Sequence, residues 1–134
     1  MREIKFRSII PSVENPKEFY TVYYSLCSEI KDVPEHIKYM LKKWLSEGNN
    51  PDQYTGVKDL EGRDIFEGDI VALPWINKRR SIAEVVFDMD CGQYMCRWIN
   101  SDAEWTLYDC GPDENLEVVG NIYENPELLD IENV

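Results

Sequence analysis

Histidine is almost missing from this chain: His36 is the only one in 134 residues. Acid–base schemes that pass a proton through imidazole therefore have a single residue to use, and a Ser-His-Asp triad would rest on a side chain remote from the few serines. Cysteine is sparse as well. Cys27, Cys91, Cys96 and Cys110 make no C-x-x-C pair, and Cys91-x4-Cys96-x13-Cys110 lacks the tight pairs of zinc ribbons and fingers. They read as small buried or half-buried thiols of a reducing compartment, and neither metal nor cofactor is expected. The seven glycines fit neither G-x-x-x-x-G-K-[ST] nor G-x-G-x-x-G, and G-x-S-x-G does not occur. No apolar run approaches the roughly 20 residues that cross a bilayer, and no apolar stretch of signal-peptide length follows the basic N-terminus. The chain reads as soluble, unexported and cytoplasmic, with no membrane partner.

Positive charge is the other shortage. Lys and Arg total 14 against 26 Asp and Glu, a net charge of −12. The excess is uneven: residues 1–48 hold 8 basic and 7 acidic side chains, residues 49–134 hold 6 and 19. A duplex binder needs a basic surface to displace counterions, so direct nucleic-acid binding is not expected. Lys78-Arg79-Arg80 is the one basic cluster and reads as a solvated turn. Asp88-Met89-Asp90 before Gly92 lacks the EF-hand pattern, because Gly92 falls at the fifth position and Ile99 at the twelfth. Carboxylate pairs such as Asp64 with Glu67, or Glu67 with Asp69, arise by chance among so many acids.

What is present is a folding composition: 43% hydrophobic, 30% charged and 12% aromatic residues, one domain's worth of chain. Residues 1–10 alternate as a strand. Residues 11–52 read as a helical hairpin. In its first helix, 15–32, Phe19, Val22, Tyr23, Leu26, Cys27 and Ile30 share a face, with Asn15 as cap and Pro16 at the first turn. In its second, Ile37, Met40, Leu41, Trp44 and Leu45 repeat the stripe and Gly48 ends it. Residues 53–124 are short strands between turns at Gly62, Gly68 and Gly92, which predicts a small antiparallel barrel. Residues 125–134 are an acidic tail. The fold class is mainly β with an α insertion.

Two surfaces are candidates for a protein partner. One is the aromatic strand pair, with Tyr94, Trp98, Trp105 and Tyr108; a four-residue loop at 100–103 would set Trp98 opposite Trp105. The other is the exposed side of helix 34–47, where Lys38 and Lys42 lie off the apolar stripe. Self-association through the same surfaces is a second binding mode.

Three stretches resemble the YopX family of phage and prophage proteins. They are Met1-Arg2-Glu3-Ile4-Lys5-Phe6-Arg7; Gln53-Tyr54-Thr55-Gly56-Val57-Lys58-Asp59 running through Gly62-Arg63-Asp64-Ile65-Phe66-Glu67-Gly68-Asp69-Ile70-Val71; and Val118-Val119-Gly120-Asn121-Ile122-Tyr123-Glu124-Asn125-Pro126-Glu127-Leu128-Leu129. The resemblance implies an SH3-like small barrel, encoded by a phage or prophage and acting in a bacterial cytoplasm. It brings no catalytic residues. It marks Tyr54, Gly56, Gly62, Gly68, Asp69, Gly120, Asn121, Tyr123 and Pro126 as framework. The chain departs from the family in having Ser8-Ile9-Ile10 where Ala-Trp-Asp is common, and in a helical-looking 11–50 where more β-like sequence is the pattern.

The leading functional expectation is a non-enzymatic interaction module that binds a host or phage protein. The alternative is an acidic DNA mimic that inhibits a nucleic-acid-binding protein, motivated by the charge of residues 49–134. A third reading is a cryptic enzyme using carboxylates or a metal.

Overall fold

Antiparallel strands carry most of the chain in this computed structural model, which describes residues 4–25, 34–76, 79–99, 104–107 and 116–130. The chain divides into two compact units, Met1–Tyr54 and Thr55–Val134.

In the first unit, β1 (Lys5–Pro11) and β2 (Phe19–Ser25) pair in unbroken register, from Lys5↔Ser25 to Pro11↔Phe19. β3 (Asp52–Lys58) lies on the other side of β1, through Phe6↔Gln53 and Arg7↔Asp52. A helix, α1 (Glu35–Ser46), sets Ile37 and Leu41 against Ile10 of β1 and Val22 of β2. Its stripe of Ile37, Met40, Leu41, Trp44 and Leu45 drives that packing. Gly48 ends it at φ 91°, a conformation L side chains rarely adopt.

The expected helical hairpin is therefore corrected. Its second helix is α1, but residues 19–25 of the first form strand β2. Phe19 to Tyr24 are all aromatic or β-branched, so a helical period fits as well as any other and decides nothing. Such residues favour a pleated, half-buried surface. The apparent helix start belongs to the β1–β2 turn. Lys17 N donates to Asn15 Oδ1 at 3.1 Å, Glu18 N to the Asn15 carbonyl at 3.0 Å, and Ser12 N to the Glu18 carbonyl at 2.8 Å. An Asx turn and a helix cap use the same side-chain chemistry. Leu26, Cys27 and Ile30 lie outside the described residues.

The second unit starts with the rest of β3 and with β4 (Asp64–Phe66). It continues through β5 (Asp69–Ile76), β6 (Arg79–Asp88), β7 (Gln93–Trp98), β8 (Glu104–Thr106) and β9 (Glu117–Asn121). These five form one antiparallel sheet in the order β8-β7-β6-β5-β9. On one face Val57 of β3 and Ile65 of β4 close over Val71, Ala83, Val85, Cys96 and Trp98. On the other, Ile70, Ala72 and Ile82 lie under Ile122, Leu128 and Leu129, the last two from a 3-10 turn at Pro126–Leu129. β5 is buried on both sides, which explains its unbroken apolar run Ile70–Leu73. The expected closed SH3-like barrel is thus corrected to a half-barrel. β8 and β9 are edges, and no described strand joins them.

Turns lock this unit. Asp59 Oδ1 accepts from Glu61 N and Arg63 N at 2.9 and 2.8 Å, and its Oδ2 accepts from Val118 N at 3.1 Å, tying the turn to the start of β9. Gly68 holds a φ of 87°, and buried Asp69 accepts from Phe66 N at 2.8 Å. Gly68 N donates to the Val85 carbonyl, and its own carbonyl accepts from Ile122 N, both at 2.9 Å. Asn121 Oδ1 accepts from Tyr123 N and Glu124 N, while Asn125 Oδ1 accepts from Asn121 N. Pro126 opens the 3-10 turn. At Gly120 the register of β5 and β9 shifts, Ile70 facing Gly120 and Val71 facing Val118. A Cβ at Gly120 would stand 2.6 Å from Asn125 Oδ1 and 2.9 Å from Asn125 Cβ. Gly120→Ala is therefore expected to cost about 1–3 kcal/mol by overpacking, read as a lower urea midpoint. An unchanged midpoint would mean that Asn125 can move aside freely.

Candidate functional site

Pro11 ends β1, and the chain then carries Ser12 and Val13 alongside the last turns of α1. Between them lies a groove of about 250 Å³. Ile10, Met40 and Trp44 supply its apolar lining, with Pro11 and Ser12 on the β1 side. Its rim carries Val13, which is 93% exposed, and Lys43 and Glu47, one helical turn apart. The end of α1 is held in place by Asn49, whose Nδ2 donates to the Trp44 carbonyl at 3.0 Å. Met40 and Trp44 are half-buried, so they offer adaptable and aromatic surface without leaving their core. The combination suits an apolar side chain flanked by polar groups.

The residues named from sequence are spread more widely. Lys38 pairs with Glu35 at 3.3 Å, and Lys42 is exposed on α1. Trp98 is buried in the half-barrel core. Trp105 is 56% exposed and faces Cys96, not Trp98. Tyr94 is half-buried and meets Phe87 edge-on at 5.1 Å. Tyr108, Lys78, Cys110 and the 100–103 loop lie outside the described residues. Tyr54 is buried, with Lys5 Nζ 5.1 Å above its ring. Gly56 and Gly62 take φ of 88° and 82°, and Tyr123 is partly exposed. Sequence reasoning did not single out Ile10 and Val13. Their signal is faint: Ile10 ends an apolar strand, and Val13 is an apolar residue in a polar loop.

Arg7 and Asp52 stand opposite each other on β1 and β3, both buried. Arg7 Nε and Nη2 reach Asp52 Oδ2 at 3.2 and 3.1 Å. Nearby, Ser8 Oγ and the Tyr24 hydroxyl are 3.2 Å apart. Burial, with the Asp52 charge adding to it, raises the Tyr24 phenol above its ordinary value despite the Ser8 bond. Asp52, Asp59 and Asp69 are buried and Asp64 pairs with Lys58 at 2.6 Å, so four carboxylates are withdrawn from any phosphate-like array. Cys91 is exposed; slight burial and the adjacent Asp88 hold its thiol above the usual range, which does not favour the thiolate. His36 is exposed at the start of α1. Among the described residues no three His, Cys, Asp or Glu side chains gather to hold a metal ion. No helix among them is long and apolar enough to cross a membrane.

The family model described as YopX protein matches residues 13–130. No curated protein matches the chain. Among solved structures it is similar to protein EF1440 from Enterococcus faecalis, at 28% identity over 93% of this chain and 75% of that one, with a TM-score of 0.45.

Proposed function

The chain belongs to the YopX family, and from that premise we propose a phage- or prophage-type protein that works by binding another protein, without catalysis. The observation that carries this reading is the groove beside α1. It presents Met40 and Trp44 between a cation, Lys43, and an anion, Glu47. Aromatic and apolar anchors with a polar rim are the chemistry of a protein contact. Among the described residues that line it there is no His or Cys.

Tagged protein should retrieve one host or phage protein from nuclease-treated bacterial lysate, enriched over a charge-matched acidic control. Lys43→Glu should cut that recovery roughly tenfold, equivalent to about 1.4 kcal/mol, with an unchanged circular dichroism spectrum because Lys43 is exposed. Equal recovery by the variant, or no enriched protein, overturns the reading. A retrieved protein that normally binds DNA and is indifferent to Lys43→Glu would favour acidic mimicry instead.

A further inference from the structure

Lys43 and Glu47 are exposed one turn apart on α1, and both line the groove. Among the described residues neither side chain has an ion-pair or hydrogen-bond partner. Their order explains why they leave each other alone: a lysine ahead of a glutamate is the weaker arrangement of an i,i+4 pair. Farther up the helix Glu35 precedes Lys38, and these two do pair, at 3.3 Å. Glu47 is also the C-cap of α1, where the negative end of the helix dipole adds to its charge. The groove thus joins an apolar floor, an unpaired cation and a reinforced anion.

Resting on the reading of this groove as the contact site, we propose that its occupant is a peptide segment of mixed charge. One large apolar side chain fills the groove, an acidic residue beside it meets Lys43, and a basic residue meets Glu47. Volume sets the anchor. A dry cavity of roughly 150 Å³ holds a benzene ring. About 250 Å³ lined by Ile10, Met40 and Trp44 therefore takes one leucine, methionine or phenylalanine side chain, not a row of them. Charge sets the flanks. The chain's net charge of −12 would draw basic segments without discrimination. The groove lies in the balanced unit, however, where residues 1–54 hold 8 basic and 8 acidic side chains. A wholly basic segment would set a cation on Lys43, and a wholly acidic one an anion on Glu47. Like-charge contacts of that kind reject the wrong partner. A segment carrying both signs satisfies both.

Selection from a display library of random short peptides on the full chain tests this. Peptides recovered by the wild type should share an apolar residue with an acid and a base near it. Lys43→Glu should recover peptides that lack the acid, and Glu47→Lys peptides that lack the base. Both positions are exposed, so both variants should keep the wild-type circular dichroism spectrum. A synthetic peptide of the recovered pattern should bind at least about tenfold more weakly once its acid is replaced by alanine, and Lys43→Ala should erase that difference. Val13→Asp, on the 93% exposed rim, should abolish recovery and so locates the site. Uniformly basic peptides, or charges that ignore Lys43→Glu and Glu47→Lys, overturn the proposal; the contact reading survives if Val13→Asp still removes them. Peptides indifferent to Val13→Asp bind elsewhere and overturn both. The absence of any enriched peptide overturns the proposal alone, because recovery from lysate then decides the contact reading. Should a variant fail to fold, the signs carried by the wild-type peptides decide.

Discussion

Arg7→Ala is expected to lower the unfolding free energy by about 3–5 kcal/mol, a large part of the ~5–15 kcal/mol that a domain of this size holds. The cause is what the truncation leaves behind. Asp52 is buried and receives Arg7 Nε and Nη2 at 3.2 and 3.1 Å; without the guanidinium its charge stays in a poorly solvated site. Asp52→Ala removes the acceptor that Arg7 meets across β1 and β3 and should cost a similar amount. The paired change Arg7→Met with Asp52→Leu removes both charges and keeps volume, so its cost should be much below the sum of the single variants. Urea unfolding of the four proteins checks this. A single-variant cost under about 1 kcal/mol would place the pair in the class of solvated surface bridges.

Asp59→Ala should be comparably damaging, at about 3–4 kcal/mol, because three backbone N–H groups lose a charged acceptor together. The Arg63 Nε contact at 2.9 Å adds little, since Arg63 is about half exposed and solvent screens it. Acid should reproduce the effect in the wild type. Burial alone would raise the Asp59 carboxyl, but the amides of Arg63, Val118 and Glu61 and the Arg63 charge outweigh it, and the pKa is lowered. Its contribution is therefore complete above the ordinary carboxylate range near pH ~4 and is lost as pH falls through the depressed folded value. The stability gap between wild type and Asp59→Ala should narrow over that acidic interval. A gap that stays constant down to strong acid would contradict the assignment.

How much of this was readable in advance varied with the kind of signal. α1 was legible because Ile37, Met40, Leu41, Trp44 and Leu45 alternate with lysines, so only one period fits. The turns at Gly62 and Gly68 were legible because each needs a positive φ. β2 was not, since a stretch made wholly of aromatic and β-branched residues has no period to read, and the Asn15 signal serves turns and caps alike. The Ser8-Ile9-Ile10 departure from the family pattern carried no warning of this. Arg7 falls with Glu3 and Lys5 on the side of the alternating first strand opposite Ile4 and Phe6. Its burial depends on Asp52, 45 residues away, and long-range pairing leaves no local trace. The same holds for the groove: Ile10 and Val13 meet Met40 and Trp44 only once β1 and α1 are packed. Trp98 and Trp105 showed the opposite failure. Their expected pairing depended on the length of the loop between them, and the register places Trp105 against Cys96.

The most direct test of the interaction reading is site-specific photo-crosslinking in bacterial cells, with a photoreactive residue in place of Val13 or, as control, in place of Met89. Both positions are almost fully exposed, at 93% and 87%, but Val13 borders the groove and Met89 sits on the β6–β7 turn of the other unit. The account predicts a discrete covalent adduct with one other protein from position 13 and none from position 89. Adducts from position 89 alone, or from neither position, would contradict it.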